Sequence, residues 1–232
     1  MPYGGRSRIH STLRGVFALS LALLLPCQGW AAGQKMSRVL VDEPAERYLD
    51  PVREAPPYSG VLDDAHHVLV GFGPNRDREF DLENTYSKDV QALLGPGGKT
   101  RFGENDDTLL CYVSSRPGDC TAVVFTVYPE WLIEVQVHAD KARVIRHQSR
   151  CRAVDGVGSS VRTKGGLGLG LTRPEVEALF GPPHRETGRK IEYSSERPVG
   201  GPSGRTVWRF LSVWFDGSGR VSGFSVLANT LD

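Results

Sequence analysis

From residue 206 onward, Val207, Arg209, Leu211, Val213 and Phe215 alternate with Trp208, Phe210, Ser212 and Trp214. A period of two marks a β-strand. The odd positions are mostly apolar, and the even positions carry three aromatic rings, so both faces of this strand are expected to be covered. The same alternation predicts strands at 190–196 and 220–228. In the first half it predicts Thr121 to Tyr128 and Trp131 to Ala139, divided by Pro129 and Glu130. Helical spacing appears after Thr172, where Pro174 suits a first turn, Glu175 completes a capping box, and Val176, Leu179 and Phe180 share an inner face. Between 197 and 205, two prolines, three glycines and a serine mark a long hairpin loop.

The pattern recurs. Asp89-Val-Gln-Ala-Leu-Leu-Gly-Pro96 returns 86 residues later as Glu175-Val-Glu-Ala-Leu-Phe-Gly-Pro182, a helical turn stopped by Gly and Pro in both copies. Tyr112-Val-Ser-Ser115 then answers to Tyr193-Ser-Ser-Glu196, and Ile133 to Val137 answers to Leu211 to Phe215. A polar turn follows each of those strands, Asp140 to Ala142 and Gly217 to Gly219, and leads into Arg143-Val144 and Arg220-Val221. Four blocks in one order predict an α+β protein of two tandem units, 61–152 and 153–232, each with short helices packed on a 3–4 stranded antiparallel sheet. Units of this size bury only about 60 to 65% of their unfolded surface, so the two are expected to pack together. Residues 33–60, broken by Pro44, Pro51, Pro56 and Pro57 in a charged stretch, read as an extended or disordered linker.

The first 32 residues read as an export signal. Arg6, Arg8 and Arg14 precede an apolar run of 11 residues, Gly15 to Leu25, too short for the ~20 residues that span a bilayer. Gly29 and Ala31 supply the small residues of a cleavage site, which predicts cutting after Ala31 or Ala32 and a periplasmic or secreted location. Cys27 follows Pro26, where a lipoprotein signal has Gly or Ala, which argues against a lipid anchor and leaves membrane contact at most peripheral. The whole chain has 28 basic and 27 acidic side chains, a net charge of +1. Loss of the leader leaves it mildly acidic, with no grip on a nucleic-acid backbone. In an oxidising compartment cysteines pair. Cys111 and Cys120 flank the turn cluster Ser114 to Asp119, so a hairpin joining them is the candidate disulfide, with Cys151 structural or idle.

The run Gly168-Leu-Gly-Leu-Thr-Arg-Pro-Glu-Val-Glu-Ala-Leu-Phe-Gly-Pro-Pro183, then Tyr193, then a strand ending Val213-Trp-Phe-Asp216 and a turn into Arg220 and Val221, resembles the BamE/SmpA family of small periplasmic proteins. The resemblance spans roughly 165–228. It implies a pair of helices on a three-stranded antiparallel sheet, in a module that assists outer-membrane protein assembly by binding other proteins. Duplication of such a unit is similar in plan to the secreted β-lactamase inhibitor protein, whose tandem repeats form a concave binding sheet.

Other motifs do not complete. Gly97-Gly-Lys-Thr100 lacks the first glycine of a phosphate loop, Leu93 standing in its place. Gly166, Gly168 and Gly170 lack the last glycine of a dinucleotide fingerprint. Asp63, Asp64, His66 and His67 have no third cluster at ligand spacing, and His138 and His147 read as surface residues on a hairpin. The expectation is therefore a non-enzymatic binding module with no cofactor, no metal and no catalytic residue. Its partner is another periplasmic or envelope protein, and Trp208, Phe210 and Trp214 form the candidate interaction surface. The competing class is a secreted inhibitor-like protein or small hydrolase whose site is assembled from distant residues.

Overall fold

The computed structural model describes residues 62–71, 77–82, 84–102, 107–142, 144, 151–198 and 206–231. The expected signal peptide with Ala31 and Ala32, Cys27 and the linker 33–60 lie outside them.

In chain order the elements are a 3-10 turn (Asp63–His66), β1 (His67–Gly71), β2 (Asp77–Asp81), α1 (Ser87–Leu94), β3 (Gly98–Phe102), β4 (Asp107–Ser114), β5 (Ala122–Tyr128) and β6 (Trp131–His138). Then come β7 (Arg152–Val154), β8 (Arg162–Thr163), α2 (Arg173–Phe180), β9 (Arg185–Thr187), β10 (Lys190–Pro198), β11 (Thr206–Phe215) and β12 (Val221–Leu231). Among the described residues, β3-β4-β5-β6-β12-β11-β10-β9 make one continuous sheet in that order, and β7 lies parallel to β4. A second sheet, β2-β1-β8, is antiparallel.

This corrects the expected α+β pair of units, each with its own sheet under short helices. The chain is mostly β, and α1 and α2 have eight residues each. The meander β3 to β6 and the meander β9 to β12 share one sheet because β6 pairs with β12, Val135 opposite Val226 and His138 opposite Gly223. A Cβ on Gly223 would stand 3.0 Å from the Val137 carbonyl oxygen, so the strands meet closely there because residue 223 has no side chain. The pairings of β7 with β4 and β8 with β1 also tie residues beyond 152 to residues before it.

One face of the large sheet faces the main core. Tyr112, Phe125, Val135, Val137, Phe224, Val226, Leu211, Val213 and Tyr193 are buried there with Val90 and Leu94 of α1, Val176 and Phe180 of α2, and Val68 and Phe80 of the small sheet. Helical spacing puts each helical pair four residues apart on one stripe. Fully burying such side chains stabilises the fold by about 1.5–3 kcal/mol apiece.

The repeated sequence blocks adopt the same local structure. The Asp89 carboxylate accepts from the Tyr86 N–H at 3.0 Å, and the Glu175 carboxylate from the Thr172 N–H at 2.7 Å. Each helix stops at a glycine in the left-handed region, Gly95 at φ 78° and Gly181 at φ 79°. A buried tyrosine hydroxyl then donates to that glycine's carbonyl: Tyr112 to Gly95 at 2.8 Å and Tyr193 to Gly181 at 3.1 Å. Burial pushes both phenols up to about 12, so both remain protonated donors; Arg152 and the Gly97 backbone oppose the shift at Tyr112, while Glu177 adds to it at Tyr193.

The disulfide expectation is also corrected: Cys111 bonds Cys151, with Cα atoms 4.6 Å apart. In the β4–β5 hairpin, Cys111 faces Val124 and the ladder ends at Val113 opposite Ala122, which leaves Cys120 beyond the strand end. The parallel pairing of Tyr112 with Arg152 brings Cys151 beside Cys111 instead.

A polar row and aromatic rings on the second face of the sheet

Alternation divides β11 as the sequence suggests. Val207, Arg209, Leu211, Val213 and Phe215 are buried, and Trp208, Phe210 and Trp214 are half-buried on the opposite face. Trp208 and Phe210 stack with centroids 6.2 Å apart and planes at 16°. The Lys190 ammonium lies 5.3 Å from the Trp214 ring centroid, within cation–π range, and Lys190 pairs with Trp214 across β10 and β11. The structure thus brings the three candidate residues onto one strand face, with Trp214 set apart from the stacked pair by Ser212.

Strand register extends this face into a polar row that sequence reasoning missed. Glu134, Gln136 and His138 alternate along β6, with Thr126 opposite Glu134 on β5, Ser225 opposite Gln136 on β12 and Ser212 opposite Ser225 on β11. Glu134 is 0% exposed. Its carboxylate accepts from Thr126 Oγ1 at 3.2 Å, from Gln136 Nε2 at 3.0 Å and from the Ser225 hydroxyl. His138 Nε2 lies 3.4 Å from Gln136 Oε1, in position to donate to it. The chain from imidazole to amide to carboxylate therefore runs its donors toward Glu134. Such hydrogen bonding offsets the cost of burying a carboxyl group.

Further along the row, Glu192 on β10 is held by Lys190, by Arg185 at 3.8 Å and by the Ser212 hydroxyl at 3.5 Å. At its other end this face is apolar: Leu109, Cys111, Val113, Ala122 and Val124 are buried with Val144 and Cys151. The surface reading of His138 is corrected as well, because it is 6% exposed.

Two outlying groups are tuned by their contacts. Burial opposes ionisation of Asp119, but the hydroxyl and N–H of Thr121, the Ser159 N–H and Arg116 together hold its carboxyl below the ordinary value. Burial pushes His184 below the ordinary histidine value, and its Nδ1 accepts the Ser194 N–H at 3.0 Å. In the small sheet, His67 faces the Glu79 carboxylate.

The polar row had one sequence signal. In Ile133-Glu-Val-Gln-Val-His138 a strictly polar face alternates with valine, and Thr126 interrupts the apolar run of the neighbouring strand. Comparison with protein-family models, with curated proteins and with solved structures finds no match.

Proposed function

We propose that this is an exported, non-enzymatic binding protein of the cell envelope that recognises another protein through the sheet face carrying Trp208, Phe210 and Trp214. One observation carries the reading: three half-buried aromatic rings sit on the face turned away from the main core, beside a polar row whose carboxylates are each occupied by internal donors. Aromatic rings next to a rigid, internally satisfied polar surface suit a recognition face, because they provide contact area at low entropic cost. Carboxylates bound by threonine, serine, glutamine and lysine hold the face in shape. The basic leader and apolar run at the N-terminus support export, and the likeness of residues 165–228 to the BamE/SmpA family supports an envelope role in assembling or guarding other proteins.

The test is site-specific photo-crosslinking in living cells. A crosslinker at position 208 should yield a discrete protein adduct, and one at Arg116, on the β4–β5 turn, should yield none. The adduct should disappear in Trp214→Ala with the melting temperature held within about 2 °C. Equal adducts at both positions, or a large fall in stability on replacing Trp214, would show that these rings serve packing.

A further inference from the structure

The two most exposed aromatic side chains among the described residues lie at the tip of the β5–β6 hairpin, outside the polar row. Tyr128 is 47% exposed and Trp131 is 42% exposed, and they face each other as a cross-strand pair around Pro129 and Glu130. The tip is rigidly supported. The Ser87 N–H donates to the Glu130 carbonyl at 2.8 Å and the Leu132 N–H to the Thr85 carbonyl at 2.9 Å, so the start of α1 is fastened along the turn. Behind Trp131 lies the Tyr86 ring, with centroids 4.0 Å apart, and the Lys88 ammonium sits 5.0 Å from the Tyr86 centroid. One side of the indole is thus occupied, and the side chain still leaves 42% of its surface exposed. Alternation also turns Tyr128 and Trp131 away from the buried pair Val127 and Leu132.

We infer that Tyr128 and Trp131 form a stacking platform for a carbohydrate ring, a binding site separate from the protein-recognition face. Size decides the class of ligand. At these exposures the two side chains offer roughly 200 Å² of open surface. A stable protein interface requires about 800 Å² from each partner, so this patch is several-fold too small to hold a protein by itself. It matches the face of one or two sugar rings. The C–H groups on the apolar side of a pyranose are slightly positive and pack on the negative face of an aromatic ring. The sugar hydroxyls need polar neighbours at the rim, and the tip supplies the exposed side chains of Glu130 and Lys88 and the Tyr128 hydroxyl. A platform already stacked against Tyr86 loses little freedom when a ligand adds to the stack.

The experiment titrates isotopically labelled protein with chitotriose and, separately, with maltotriose, following amide and indole signals. The expected result is a saturable shift of the Trp131 indole and of the amides of Tyr128 to Leu132 with at least one of the two sugars. Trp131→Ala should weaken that binding at least about tenfold. Tyr128→Ala removes the other ring and should weaken binding at least about threefold, which covers the case in which Trp131→Ala is unstable. No shift with either sugar up to solubility, shifts lying away from the hairpin tip, or equal affinity in Trp131→Ala with an unchanged melting temperature would each overturn the inference.

Discussion

Replacing both Cys111 and Cys151 by alanine tests the disulfide and the sheet register that produces it. The bond joins residues separated by 40 positions. On the chain-entropy account, opening a loop of that length returns about 4 kcal/mol of conformational freedom to the unfolded chain. Cys111 is also fully buried among Leu109, Val113, Val124 and Val144, so the smaller alanine adds about 1 kcal/mol of lost packing. For a chain of this size, 1 kcal/mol corresponds to about 2–4 °C, so the melting temperature should fall by roughly 10–20 °C. Differential scanning calorimetry under oxidising conditions measures it. The wild type in reducing buffer should fall by at least a comparable amount, because reduction opens this bond together with that of Cys120. A loss below about 3 °C in both experiments, or quantitative alkylation of Cys111 in unreduced native protein, would refute the pairing and with it the parallel placement of β7 beside β4.

Tyr112→Phe and Tyr193→Phe each remove one hydroxyl donor to a helix-ending carbonyl, and should cost about 1 kcal/mol apiece in urea unfolding, with closely similar values. Glu134→Ala strands the Thr126, Gln136 and Ser225 donors and should cost on the order of 3 kcal/mol, while Glu134→Gln, which keeps one acceptor oxygen, should cost less; equal losses would show that the carboxylate is not the hub. The carboxyl of Asp119 titrates lower in the folded protein than in the unfolded chain, so its contribution is present above the ordinary aspartate value and is lost as pH falls through its folded value. Melting curves between about pH 2 and 5 should therefore be flatter in Asp119→Asn than in wild type. Gly223→Ala presses a methyl group toward the Val137 carbonyl and should destabilise the sheet by about 1–3 kcal/mol, with faster amide exchange along β6 and β12; an unchanged exchange pattern would contradict the close approach.

Strands that alternate cleanly were legible as strands. The alternation from residue 206 corresponds to β11 at Thr206–Phe215, and the strand expected at 220–228 corresponds to the start of β12 at Val221–Leu231. The capped helix after Thr172 appears as α2 at Arg173–Phe180. Alternation fixes which side chains share a face, but it carries no information about which strand lies alongside. That is why the β6–β12 pairing, which joins both meanders into one sheet, was missed. The small sheet escaped for a related reason, since β8 has only two residues and its partner β1 lies far earlier in the chain. The disulfide was misread because turn residues at Ser114 to Asp119 suggested that the hairpin itself brought two cysteines together, whereas Cys111 sits well inside β4. The aromatic face of β11 was readable because three large rings on even positions exceed what a solvated strand face carries. The polar row was hidden because a buried Glu134 and a solvated one look alike until the cross-strand donors Thr126 and Ser225 are placed beside it.

The order of strands also has a bearing on when this protein can acquire its shape. The two strands at the middle of the large sheet are β6 and β12, and the hydrogen bond from Ser225 to Glu134 closes a separation of 91 residues. A nascent chain that has reached Phe215 holds two half-sheets, each with an unpaired inner edge, and only the final strand in the described sequence can zip them together. Loops of that length close slowly. However early its two halves form, the large sheet therefore cannot close until β12 has been made.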